Sequence, residues 1–159
     1  MGFMWFATID GLARFDGYHF ELFLGGDVND PQALANSRVM DVHPGGGGQL
    51  WLGLRSGGIN RYELQSQRIL RFRPEDGLGE LTSGSFGAIT SDEQGRMIMG
   101  GSPNIDMYIY DPADGSLSRY PKIGFENDAI LDLHTDDTGA IWASFTSVSY
   151  THLTLPTIA

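Results

Sequence analysis

The chain has 159 residues, 41% of them hydrophobic and 11% aromatic, with 22 Gly against only 7 Pro, the composition of a folded protein with many tight turns. A net charge of −10 argues against a nucleic-acid phosphate track or an anionic membrane surface as partner. The absence of Cys excludes disulfides, zinc–thiolate sites and cysteine nucleophiles. No apolar run approaches the ~18 residues of a membrane helix, so no direct membrane contact is expected of this stretch. The chain opens on the strand-like Gly2-Phe3-Met4-Trp5-Phe6-Ala7-Thr8 with no basic-then-apolar leader, so an export signal is expected outside it.

In chain order, Gly2-Phe3-Met4-Trp5 leads to the aromatic–acid pair Phe15-Asp16 and a closing Phe23. The apolar stretch Val39 to His43 then precedes Gly48-Gln49-Leu50-Trp51, followed by Tyr62-Glu63 and Phe72. Phe86 to Thr90 precedes Gly95-Arg96-Met97-Ile98, followed by Tyr110-Asp111 and Tyr120, and Ile130 to His134 precedes Gly139-Ala140-Ile141-Trp142. Trp5, Trp51, Ile98 and Trp142 are 46, 47 and 44 residues apart, so the landmarks stay in phase. Each unit reads as four short strands, A to D, separated by Gly, Asp, Ser and Asn turns. In the second unit they are expected at about 38–43, 50–55, 58–63 and 68–73. Helical periodicity is absent, with one turn over Pro31 to Ala35 the best candidate.

A four-stranded unit of ~40–45 residues is the size of a propeller blade. The expected fold is therefore all-β: an incomplete β-propeller of about three four-stranded antiparallel blades plus part of a fourth. Residues 1–146 form it, with blades at about 1–37, 38–83, 84–122 and 123–146, and strand A of the first blade missing. The remaining blades of a parent chain are expected partners.

The first copy, from Met1 to Phe20, resembles the two-component regulator propeller repeat, whose pattern runs roughly G-x-apolar-W-apolar-G-T-x-x-G-L-x-R-F-D. The second copy matches from Gly48 to Glu63 with Leu54 where Thr is usual. The third departs at Ile98 and at Ile105 to Met107, and the fourth stops after Phe145. The resemblance implies a periplasmic ligand-sensing module of an inner-membrane receptor, joined by a membrane helix to a histidine kinase, hybrid kinase-regulator or diguanylate cyclase. It implies no enzymatic activity and no cofactor in this stretch, and a small ligand, carbohydrate breakdown products being the family expectation. A propeller lyase of the streptogramin-inactivating type and a protein-interaction propeller are the alternatives; the first needs a catalytic His cluster and metal that no spacing here supplies.

The end of the chain reads differently. Val148 to Thr157 can be encoded by GTC TCT TAT ACA CAT CTG ACG CTG CCG ACG, a string that resembles a sequencing-library transposase adapter read in frame. Residues 147–159 are therefore expected to be read-through, not a domain, with no specific packing from Val148 onward.

Candidate chemistry is sparse. His43 and His134 each stand eight residues before a Trp and read as repeat-structural polar groups rather than metal ligands. Asp92-Glu93, Asp136-Asp137 and Asp111 to Gly115 read as turns, because a calcium loop needs about six converging oxygens. Asp27 and Asp30 are the better calcium candidates, and no metal site is assigned. Gly45 to Gly48 lacks the Lys-Ser/Thr of a phosphate loop and reads as a turn. Trp5, Trp51 and Trp142 read as inter-blade packing rather than a sugar platform.

In a propeller the A–B and C–D turns share one end, and the B–C and D–A loops the other. The D–A loops 25–37, 74–83 and 121–128 differ from copy to copy, as do the B–C loops carrying Asp10, Arg55 and Asn104. Variation on a constant scaffold suits a recognition face. Asp10, Arg55 and Asn104, with Asn36 and Ser83 nearby, are the expected ligand-binding residues.

Overall fold

The computed structural model describes residues 2–27, 29–72, 74–102, 106–120, 128–146 and 149–153. They form an all-β fold of four successive antiparallel sheets, the incomplete propeller that the repeat predicts. The first sheet is β1 (Met4–Thr8), β2 (Gly11–Phe15) and β3 (Phe20–Phe23), strands B, C and D of a blade. The second is β4 (Val39–Gly45), β5 (Gln49–Leu54), β6 (Ile59–Glu63) and β7 (Arg68–Arg71). The third is β8 (Phe86–Ser91), β9 (Met97–Gly101), β10 (Met107–Tyr110) and β11 (Leu117–Tyr120). The fourth is β12 (Ile130–Thr135), β13 (Ile141–Phe145) and β14 (Ser149–Leu153). Strands pair in chain order, as in a meander.

The chain divides into two compact units, residues 1–86 and 87–159. In the first, β1 and β2 pair with Ala7 opposite Leu12, and Leu12 lies opposite Phe23 of β3. Period-2 alternation sends this row to one face, where Leu12 and Phe23 meet Leu50, Leu52, Leu54, Tyr62 and Ile69 of the second sheet. Each such aliphatic or aromatic side chain, once buried, stabilises by about 1.5–3 kcal/mol. In the second unit, Ile98, Met107 and Ile109 share a core with Ile130, Leu133, Ile141, Ala143 and Phe145.

One long connection in the first unit is tied down by polar contacts. Residues 24–38 bridge Gly25 to Leu34 in parallel. They then receive the Ile69 amide on the Pro31 carbonyl at 2.7 Å, while the Ala35 amide donates to Asn60 Oδ1 at 2.9 Å. Arg71 at the end of β7 reaches across, its guanidinium within 3.2 Å of the carbonyl oxygens of Gly26, Asp27, Ala33 and Leu34.

The terminal segment departs from expectation. Ser149–Leu153 pairs along β13 with Ser149 opposite Ser144 and Tyr150 opposite Ala143, in the place of a strand C. The physical reason is available in the chain itself: β13 has an open hydrogen-bonding edge, and a segment rich in Thr, Tyr and Leu readily extends along one.

Candidate functional site

The B–C turn of the second sheet, between β5 and β6, is held from both sides. The Arg55 amide donates to the Arg38 carbonyl at 3.0 Å, joining the turn to the connection before β4. The Gly58 amide donates to the Gly84 carbonyl at 3.3 Å, joining it to the connection before β8. Gly58 has φ +72°, and a Cβ there would stand 1.9 Å from the Leu81 carbonyl oxygen, so only Gly permits the approach. This turn thus gathers three expected site residues at one end of the first unit. Arg55 is exposed; Asn36, half-buried, accepts the Arg38 amide on Oδ1 at 2.9 Å; Ser83 is exposed beside Gly84.

Asp10 lies in the turn between β1 and β2, at the same end of its sheet as Phe23, where the 24–38 connection begins. It is exposed, and its amide donates to Thr8 Oγ1 at 3.2 Å. Among the described residues no hydrogen bond or ion pair joins it to Arg55. Asn104 lies outside the described residues.

Arg38 was not singled out from sequence, yet it is exposed and its backbone carbonyl accepts the Arg55 amide, so two exposed Arg residues are joined through the backbone on a chain of net charge −10. The only hint in the sequence is its place at the end of a variable connection. Asn60 was missed as well. It is 1% exposed, spends Oδ1 on the 24–38 connection, and leaves Nδ2 without a partner among the described residues.

The acidic turns are built as caps. Asp92 accepts the Gln94 and Arg96 amides and pairs with the Arg96 guanidinium at 2.6 Å. Asp136 accepts Thr138 Oγ1, Trp142 Nε1 and the Thr138 and Ala140 amides, and these bonds, led by the Thr138 and Trp142 side chains, hold its carboxyl well below the usual carboxylate range. Asp111 and Asp114 cap their own turn likewise. Asp27 and Asp30 accept the Asn29 and Gln32 amides, and the carbonyls around Asp27 converge on the Arg71 guanidinium.

His43 lies directly opposite Trp51 across β4 and β5, and His134 opposite Trp142 across β12 and β13. The eight-residue spacing is therefore hairpin register. Trp51 is wholly buried and stacked on Phe72 at 5.5 Å, and Trp5 packs against Phe23 and Tyr62. An open cleft of about 460 Å3, lined by Gly47, Gly48, Gln49, Glu63, Gln65 and Ser66, sits at the A–B and C–D end of the second sheet. It is opposite the loop cluster, and its carboxylate already accepts Ser66 Oγ and faces Arg61.

No family model and no curated protein matches the sequence. Solved structures do match. The fold is similar to the extracellular domain of BT3049 from B. thetaiotaomicron, described as a hybrid two-component system, with TM-score 0.73 at 20% identity over 94% of this chain and 22% of that one. The extracellular domain of BT4673 from B. thetaiotaomicron gives 0.69 at 18% identity, over 98% and 20%. The computationally designed Ika8 protein gives 0.59 at 12% identity, over 90% and 40%. The chain thus spans about a fifth of the two bacterial domains whose fold it shares.

Proposed function

We propose that the chain is part of an extracytoplasmic ligand-sensing propeller of a bacterial two-component-type receptor, non-catalytic in itself. The observation that carries this reading is the gathering of Asn36, Arg38, Arg55 and Ser83 from three connections onto one end of a repetitive scaffold. The likeness in fold to two extracellular domains of signalling systems supports it. Guanidinium, amide and hydroxyl groups on an otherwise acidic protein suit a small polar ligand with hydroxyl or carboxylate groups, carbohydrate fragments among them. Asp10, and Asn104 outside the described residues, are proposed as further ligand contacts from the corresponding B–C loops. In the parent receptor the output is a histidine kinase or diguanylate cyclase on the far side of a membrane helix, with the propeller in the periplasm.

The test uses the full-length receptor and a panel of neutral and acidic oligosaccharides as probes. Arg55→Ala and Arg38→Ala should each raise the concentration for half-maximal signalling about tenfold or more, the loss of one charge-assisted contact. Unchanged dose–response curves in folded variants would overturn the assignment of this end.

A further inference from the structure

The two arginines at the B–C turn of the second sheet face each other across a strand ladder. β4 and β5 pair antiparallel with Val39 opposite Leu54, and one step further along the same register Arg38 stands opposite Arg55. The Arg55 amide, donating to the Arg38 carbonyl at 3.0 Å, continues the ladder, and Asn36 Oδ1 takes the Arg38 amide at 2.9 Å. Residues directly opposite in an antiparallel pair send their side chains to one face, with Cβ atoms about 5 Å apart, and like charges so placed repel. Both residues are exposed.

Every other described arginine is neutralised where it stands. Arg14, Arg61, Arg96 and Arg119 each pair with a carboxylate, Arg68 stands opposite Glu63 across β6 and β7, and Arg71 meets four carbonyl oxygens. Among the described residues neither Arg38 nor Arg55 forms an ion pair, although the chain holds 20 Asp and Glu against 10 Lys and Arg. Carboxylates are plentiful, so a repelling pair kept without one, between connections that differ from copy to copy, suits an anion supplied from outside.

We propose that the Arg38–Arg55 pair is an anion site whose ligand is a polyhydroxylated dicarboxylate, either a free sugar diacid or a saccharide carrying two uronates. The proposal rests on the sensing role given above to this end and narrows its ligand from polar to acidic. Each guanidinium presents a planar fork that takes a carboxylate through two parallel bonds, so two carboxylates match two forks. The Asn36 side-chain amide and the exposed Ser83 hydroxyl belong to the same cluster and suit the ligand's hydroxyls. A bound dianion cancels the repulsion, so it stabilises the fold as it fills the site. A neutral sugar leaves the repulsion in place.

The experiment compares galactarate with galactitol, which differ only in their two terminal carboxylates, and digalacturonate with neutral galactobiose, all at one ionic strength. The whole chain is followed by amide NMR titration and by urea unfolding. Galactarate or digalacturonate should shift the Arg38 and Arg55 amides and raise the urea midpoint, and which of them binds tells free diacid from saccharide. Galactitol and galactobiose should do neither. Arg55→Gln should weaken the anion about tenfold or more. At low salt it should also raise the midpoint of the unliganded chain, since one of two like charges is gone and the backbone bonds remain. Arg55→Glu should raise it further by setting opposite charges across the ladder, even though the chain becomes more acidic, and both gains should shrink in high salt. Arg38→Gln, on the other strand, gives the same readouts should an Arg55 variant not fold. Equal responses to acid and neutral probes would overturn the proposal, as would no response to either acid or a midpoint that fails to rise in the Gln variants. In the full-length receptor, an anion bound with signalling unshifted supports the site and removes the sensing role. Signalling driven through Arg55 by galactobiose alone keeps the sensing role and overturns the anion site.

Discussion

Trp5 with Arg14 and Trp51 with Arg61 occupy the same two positions of successive hairpins, and each guanidinium carbon lies near the same distance from its indole, 5.8 and 5.9 Å. In the third sheet both positions are Ile, Ile98 opposite Ile109. Exchanging both partners together gives up a cation–π contact of about 0.5–1 kcal/mol without leaving a half-buried guanidinium facing an aliphatic wall. The copy that departs furthest from the repeat pattern in sequence is thus consistent in its physics. His43 makes a prediction at the same scale. Burial lowers its pKa below the ordinary 6.5, so the folded state holds it neutral. The unfolded chain then takes up a proton first as pH falls. Its contribution to stability is complete above about pH 6.5 and declines as pH falls through that value toward the folded pKa. Urea midpoints on either side of pH 6.5 should fall less on acidification in His43→Gln than in the wild type.

At the scale of elements, two glycines with similar backbone angles separate conformational strain from close approach. Gly95 has φ +79° and open space where a Cβ would stand, whereas the Cβ of Gly58 would strike the Leu81 carbonyl. Gly95→Ala should cost about 1 kcal/mol, the left-handed penalty alone. Gly58→Ala should cost about 3 kcal/mol or more, since the turn and the 3₁₀ segment Gly79–Leu81 must part. Equal losses in urea unfolding would contradict this account. The 24–38 connection depends on Arg71 in the same way. Arg71→Lys keeps the charge but cannot span carbonyls of Gly26, Asp27, Ala33 and Leu34. It should destabilise by about 2 kcal/mol and quicken amide exchange at Gly26 and Leu34, whose bonds hold the connection closed.

For the whole molecule, the strand expectations for the second copy fall close to the observed β4 to β7, because alternation and Gly-rich turns are local properties of the chain. The loop end was partly legible for the same reason: Arg55, Asn36 and Ser83 could be assigned to it by strand parity before any contact was known. Arg38, Asn60 and Arg71 could not, since their roles arise from how an aperiodic connection folds back over β6 and β7. The open edge of β13 belongs here too: the Ser149–Leu153 pairing reflects the partner offered by the sheet, which no reading of the segment alone supplies.

What the sequence by itself determined is the all-β repeat: the blade period, the hairpin register that sets His43 opposite Trp51, and the identity of the variable connections. These follow from side-chain period and turn chemistry, which act over a few residues. The tertiary structure alone decided that Arg71 fills the carbonyl cluster near Asp27 and that Arg38 joins Arg55. Those outcomes depend on contacts between residues tens of positions apart, and such contacts exist only once the sheets have packed.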